Sequence, residues 1–119
     1  RQASDETVCT TLSLALAMHA AIDRDARVIN LSLGGPADRL IEQLVRTALE
    51  RGISVVAAAD PTVASGGFPA ALRGVIGVVD EAGGAAPSGM VAAPGSDVPT
   101  TVPVSRWAVV SGASYAAPA

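Results

Sequence analysis

The sequence predicts an α/β protein built on a mainly parallel sheet. The chain of 119 residues is long enough for one domain and one core. Half of its residues are apolar but only 3% are aromatic, so Ala, Val, Leu and Ile must form most of that core. Helical and strand-like stretches alternate in the order helix, strand, helix, strand, strand, which is typical of right-handed βαβ crossovers.

Two stretches have apolar residues at helical spacing. In the first, Ser4 is expected to cap the N-terminus, the acidic residues 5 and 6 complement the helix dipole, and the helix ends near residues 23–25. In the second, Gly52 lies where a C-terminal cap belongs. The apolar face of this second helix consists of Leu40, Ile41, Leu44, Val45, Ala48 and Leu49.

Short apolar runs predict the strands. Residues 28–33 alternate between apolar and polar side chains, as in a half-buried strand. Residues 53–59 are almost continuously apolar, which is typical of a parallel strand buried on both faces. We therefore expect these two strands to be parallel neighbours joined by the second helix. Residues 75–79 predict the next strand, and a Gly/Pro/Ser-rich loop is expected over residues 60–69.

A Gly-x-Ser motif near the end of the chain is the strongest chemical signal. Residues 112–118 read Gly-Ala-Ser-Tyr-Ala-Ala-Pro and follow the apolar run 107–110. This pattern places Ser114 after a strand and at the start of a helix, where unpaired N–H groups and a partial positive charge favour an oxyanion. The alternative is that Ser114 only caps the helix.

Three blocks together resemble the subtilisin-like serine peptidase family. Residues 28–36 (Val-Ile-Asn-Leu-Ser-Leu-Gly-Gly-Pro) are similar to its substrate-binding strand, residues 55–60 (Val-Val-Ala-Ala-Ala-Asp) to the strand that delivers its oxyanion residue, and residues 112–118 to its nucleophile block. The blocks occur in the family's order. The resemblance implies a three-layer subtilisin-like sandwich, of which residues 1–119 are a single partial domain, the C-terminal-half portion, truncated at both ends.

The resemblance also implies roles for individual residues. Ser114 matches the nucleophile, and Asp60 matches the oxyanion-hole position, so both are candidate catalytic residues. A peptide substrate would pair with the first block by β-augmentation. The candidate substrate-binding residues are Ser32, Leu33, Gly34, Ala58 and Ala59. For residues 32–34, the alternative is an ordinary strand that ends in a turn.

Asp60 departs from the family pattern, which usually has Asn there. An Asn donates an N–H to the developing oxyanion, whereas an ionised Asp can only accept hydrogen bonds. A protonated carboxyl could still donate, but this needs a raised pKa. Ala59 likewise replaces the usual Gly and adds a methyl group beside the specificity pocket. The alternative for Asp60 is a residue that simply starts a turn.

The family's Asp and His-Gly motifs are absent from the chain. His19 is the only histidine, and its position within a predicted helix indicates a partly exposed helix residue and not the general base. Asp23 and Asp25 do not lie in the family's Asp motif. We therefore expect the chain by itself to be inactive. It is either part of a serine endopeptidase or, alternatively, a pseudo-protease that binds peptides or has a structural role.

Two further classes remain as weaker alternatives. An α/β-hydrolase would place its acid and histidine after the serine, and a nucleotide-binding sheet would need a different glycine spacing. No cofactor or metal is expected. A net charge of −3 without a basic run argues against nucleic acid, and no apolar run is long enough for a membrane span. The expected partners are a peptide or protein substrate and the missing remainder of the domain, and the family resemblance favours a secreted or cell-envelope protein.

Overall fold

The structure, a computed structural model, describes residues 10–84, 86–87, 89–95, 98–102, 106–110 and 117–118. Within this part, two helices and six strands follow one another along the chain, with a short 3₁₀-helix at Glu81–Gly83. The helices are α1 (Thr11–Asp23) and α2 (Arg39–Glu50). The strands are β1 (Val28–Leu31), β2 (Ser54–Ala58), β3 (Ile76–Asp80), β4 (Val91–Ala93), β5 (Val98–Val102) and β6 (Arg106–Val110).

Both helices have a capped N-terminus. Helix α1 begins at Thr11, and the Thr10 hydroxyl accepts a hydrogen bond from the Ser13 N–H at 3.1 Å, whereas Ser4, the predicted cap, lies outside the described residues. Asp38 caps α2 by accepting from the N–H groups of residues 40 and 41. The predicted end of α2 is confirmed, since Gly52 follows it with a φ of 77°.

Four strands form a parallel sheet in the order β1-β2-β3-β4. Val28 pairs with Ser54 and Leu31 with Ala57, and α2 connects the two strands, as the sequence predicts. The α/β fold class is thereby confirmed. Strands β5 and β6 form a separate antiparallel pair in which Val98 lies opposite Val110.

The core lies between the sheet and the two helices. Met18 of α1, Ile41 and Val45 of α2 and Val55 of β2 are all at most 2% exposed. The prediction that β2 is buried on both faces is wrong in part. Its Val55 and Ala57 are buried under the helices, whereas its other face is only half-buried.

The side of the sheet away from the helices is an apolar surface, which we call the open face. Its described residues are Val28, Asn30, Val56, Ile76, Val78, Val91, Ala92, Ala93, Ala117 and Pro118, and they line a groove of about 530 Å³. Val28, Ile76 and Val91 are 58%, 43% and 50% exposed. Ala117 is buried against Val78 and covers a small part of this face. The described residues thus form two of the three layers of the predicted sandwich.

Candidate functional site

The carboxyl ends of β1 and β2 bring two predicted site segments to the same edge of the sheet. Because Leu31 pairs with Ala57 in a parallel register, the segments that follow, residues 32–34 and 58–60, both leave the sheet at this edge. In open α/β sheets this edge is where ligands bind. Six of the seven sequence-predicted residues thus lie on the two segments that leave this edge, and their roles stay predictions.

The segment after β1 is held by local hydrogen bonds. The Asn30 Nδ2 donates to the Ser32 Oγ at 3.2 Å, and the Gly35 N–H donates to the Phe68 carbonyl oxygen at 3.2 Å in an isolated antiparallel bridge. Ser32 and Gly34 are exposed and Leu33 is half-buried. The segment thus follows β1 directly, and the chain just after it is tied through Gly35 to the connection between β2 and β3.

Ala58 and Ala59 lie on opposite sides of the sheet. Ala58 is half-buried beside Val78 on the open face. Ala59 is 4% exposed and belongs to the helix-side core, and its N–H donates to the Val78 carbonyl oxygen at 2.8 Å. The Ala59 methyl group is therefore packed inside the protein at the point where the chain leaves the sheet.

Asp60 begins the loop that leaves the sheet after β2, and its side chain is exposed. Its Oδ1 accepts two hydrogen bonds from Thr62, from the backbone N–H at 2.9 Å and from the hydroxyl at 2.6 Å. These bonds, the hydroxyl bond above all, lower the pKa of the Asp60 carboxyl because both stabilise its charged form. The raised pKa that a protonated, donating carboxyl would need is therefore absent, and the predicted turn start at Asp60 is present.

Backbone hydrogen bonds close the Asp60 loop, residues 60–67. The Asp60 N–H donates to the Gly66 carbonyl oxygen at 2.8 Å, and Gly66 in turn donates to the Val63 carbonyl oxygen at 2.9 Å. Gly66 and Gly67 have φ values of 89° and 73°, which only glycine adopts readily. Sequence reasoning did not single out Thr62, although an Asp followed two residues later by Thr is a recognisable turn pattern.

The seventh predicted residue, the nucleophile candidate Ser114, lies outside the described residues, and its role stays a prediction. His19 is exposed on α1, in agreement with its interpretation as a helix surface residue. Among the described residues no group of His, Cys, Asp and Glu could hold a metal ion. No described helix is long and apolar enough to cross a bilayer.

Sequence relatives of the chain are bacterial serine proteases, although no family model matches it. Subtilisin BL of Lederbergia lenta is 34% identical over 116 residues, which cover 89% of this chain and 43% of that protein. A thermophilic serine proteinase of Bacillus sp. (strain AK1) is 38% identical over 128 residues, which cover 98% of this chain and 32% of that protein. The chain thus spans between about a third and somewhat under half of the length of these curated relatives.

Solved structures with the same fold include proteases and a macrocyclase. The prenylagaramide maturation protease PagA superposes with a TM-score of 0.81 at 25% identity, covering 98% of this chain and 48% of that one. The S218A mutant of the PatA protease domain superposes with a TM-score of 0.79 at 29% identity. The match covers 96% of this chain and 48% of that one. The PatG macrocyclase in complex with peptide, at 21% identity and a TM-score of 0.77, shares the fold over 97% of this chain and 39% of that one.

Proposed function

The chain belongs to the subtilisin-like serine protease family, and on that premise we propose that it forms the substrate-binding and nucleophile-bearing part of a serine endopeptidase. The observation that carries this proposal is the carboxyl edge of the sheet. There, residues 32–34 and 58–60 follow two paired parallel strands, and the Gly35–Phe68 bridge joins the chain just after the first segment to the chain just after the Asp60 loop. A peptide would bind between these two segments.

A peptide would bind along residues 32–34 as an added strand. Main-chain hydrogen bonds would supply the affinity, and the surface near Ala58 and Ala59 would select a side chain. The PatG macrocyclase, which shares this fold, has been solved in complex with peptide, and this supports a peptide as the ligand. Because the Ala59 methyl group is packed in the helix-side core, the half-buried Ala58 would be the residue of this pair that contacts a substrate side chain.

Ser114 would be the nucleophile in this proposal. A serine hydroxyl attacks a peptide carbonyl only when a base accepts its proton, and a carboxylate must orient that base. The histidine and aspartate would come from the remainder of the domain, because His19 lies exposed on α1. The chain by itself would bind the substrate weakly and would not hydrolyse it.

Fluorophosphonate labelling tests the proposal, since this reagent reacts only with an activated serine. We expect the full-length protein that contains this segment to be labelled and its Ser114→Ala variant not to be. We expect the 119-residue chain alone to be unlabelled and without peptidase activity. Hydrolysis by the isolated chain that disappears in Ser114→Ala would contradict the second expectation.

The alternative is a pseudo-protease that binds peptides without cleaving them. Asp60 favours it, because an ionised carboxylate at an oxyanion position repels developing negative charge. A full-length protein that binds an extended peptide in titration calorimetry but is never labelled would support this alternative over the peptidase.

A further inference from the structure

The two carboxylate oxygens of Asp60 have different surroundings. Oδ1 accepts both hydrogen bonds from Thr62, at 2.9 and 2.6 Å. Oδ2 accepts none from any residue that the structure describes. Since the side chain is exposed, Oδ2 is the oxygen that this residue presents outward.

The position of Thr62 is fixed by the loop and not by its own side chain alone. The Val63 N–H donates to the Asp60 carbonyl oxygen at 3.2 Å, and the Asp60 N–H donates to Gly66 at 2.8 Å. The loop is anchored to β3 through the Ala59 N–H and to the β1 extension through Phe68. The Thr62 backbone N–H therefore stays directed at residue 60 whatever the side chain at position 62.

The two hydrogen bonds from Thr62 determine how an amide side chain at position 60 would be oriented. An Asn side chain has one oxygen that accepts and one NH₂ group that only donates. Both Thr62 groups that contact residue 60 act as donors, so they require the amide oxygen. The NH₂ group must then take the place of Oδ2 and point outward.

We propose that Thr62 is a positioning residue that fixes one side-chain oxygen of residue 60 and so determines which atom that residue presents to the carboxyl edge of the sheet. In this protein the atom presented is a carboxylate oxygen, and with Asp60→Asn it is an amide donor. The part of the inference that concerns catalysis rests on the proposed function, because only there does the presented atom face a developing oxyanion.

Nuclear magnetic resonance titration of the Asp60 carboxyl tests the positioning role directly. Thr62→Val removes the hydroxyl donor and keeps the β-branched shape, whereas Thr62→Ser keeps the hydroxyl and is the matched control. We expect the Asp60 titration midpoint to rise in Thr62→Val and to stay unchanged in Thr62→Ser. An unchanged midpoint in Thr62→Val would overturn the proposal. Thr62 is exposed, so neither substitution disturbs the core.

A double-mutant cycle in the full-length enzyme separates positioning from catalysis. We expect Asp60→Asn to raise kcat, and the rise to be smaller by about fivefold in the Thr62→Val background, the factor that one net hydrogen bond supplies. A gain of equal size in both backgrounds would contradict the orienting role. If the titration midpoint shifts but Asp60→Asn leaves kcat unchanged in both backgrounds, Thr62 remains a positioning residue and the oxyanion placement of Asp60 fails.

Discussion

At the scale of single residues, Asp60 places an exposed, ionised carboxylate just after β2. Its carboxyl has a lowered pKa because the Thr62 hydroxyl and backbone N–H stabilise the anion. A histidine base is neutral only above its usual pKa of about 6.5, and in that range this carboxyl is fully ionised. Protonation of Asp60 therefore offers no route to an oxyanion donor at any pH where the proposed base could act.

The first prediction follows from this charge. Asp60→Asn in the full-length protein should raise kcat at neutral pH with little change in KM, because an amide donor replaces a repelling anion only where the oxyanion forms. The kcat ratio of the two forms should stay constant from pH 8 down to about pH 6. The measurement is a pH–rate profile on one peptide substrate. A ratio that falls towards the acid end would show that the wild-type carboxyl becomes protonated there.

Gly66 carries the second prediction, since the Asp60 loop closes through its carbonyl oxygen. Its φ of 89° is strained for any residue with a Cβ, and a methyl group there would overlap Met90 Cε. We expect Gly66→Ala to destabilise the protein by at least about 1–2 kcal/mol. Chemical denaturation measures this cost.

The matched control for Gly66 is Gly83→Ala. Gly83 lies in the 3₁₀-helix without a positive φ, and a methyl group there would meet nothing within 4 Å. This substitution should leave stability unchanged or increase it by up to about 1 kcal/mol. Equal losses in both variants would mean that the Asp60 loop is not constrained by its backbone conformation.

At the scale of elements, the β1-α2-β2 unit could be predicted from the sequence because the strand pattern and the helix pattern agree on which side is buried. The alternation of residues 28–33 and the apolar stripe of α2 specify the same buried side. The start of α1 could not be predicted, because Ser4 and Thr10 are both acceptable caps. Strand β5 was also missed, since Pro99 interrupts a run that would otherwise resemble a strand.

The sequence predicts which residues form the candidate site, but it does not predict how their side chains are oriented. Parallel pairing of β1 and β2 is enough to place residues 32–34 and 58–60 at the same edge of the sheet. The orientation of the Asp60 side chain depends on a rotamer and on how the loop closes, which neither spacing nor composition specifies. Only the structure distinguishes the oxygen bound by Thr62 from the other one.

The third prediction concerns the N-terminus of α2. Asp38 Oδ1 accepts from the N–H groups of Leu40 and Ile41, and its Oδ2 accepts from the Thr11 hydroxyl at 3.2 Å, which ties the starts of the two helices together. Asp38→Ala should lower the free energy of unfolding by about 1 kcal/mol. Asp38→Asn retains the capping oxygen, so its free energy of unfolding should fall much less than that of Asp38→Ala. If thermal denaturation shows the same loss for both, the cap is not what stabilises α2.

At the scale of the whole molecule, the sheet is covered on one side only within the described residues. Parallel sheets are almost always covered on both faces. The exposed Val28, Ile76 and Val91 form a surface of the kind that becomes buried when a domain is complete. Helix α1 has a similar exposed apolar side, with Leu12 and Leu16 at 66% and 63% exposure. The structural relatives are about twice as long as this chain, so we infer that the remainder of the subtilisin-like domain covers the open face.

The last prediction tests this inference with Val91→Thr, which keeps the shape of the side chain and adds a hydroxyl. In the 119-residue chain Val91 is 50% exposed, so the hydroxyl stays hydrated and stability should change by less than about 0.5 kcal/mol. In the full-length domain the hydroxyl would be buried without a partner, which should cost about 1–3 kcal/mol. Val63→Thr in the Asp60 loop is the matched control, since Val63 is 42% exposed and lies away from the open face. Chemical denaturation of both variants, each in the 119-residue chain and in the full-length domain, gives four changes in the free energy of unfolding. A selective loss for Val91→Thr in the longer protein would support burial of the open face by the rest of the domain, and equal small effects in all four would show that this face stays in water.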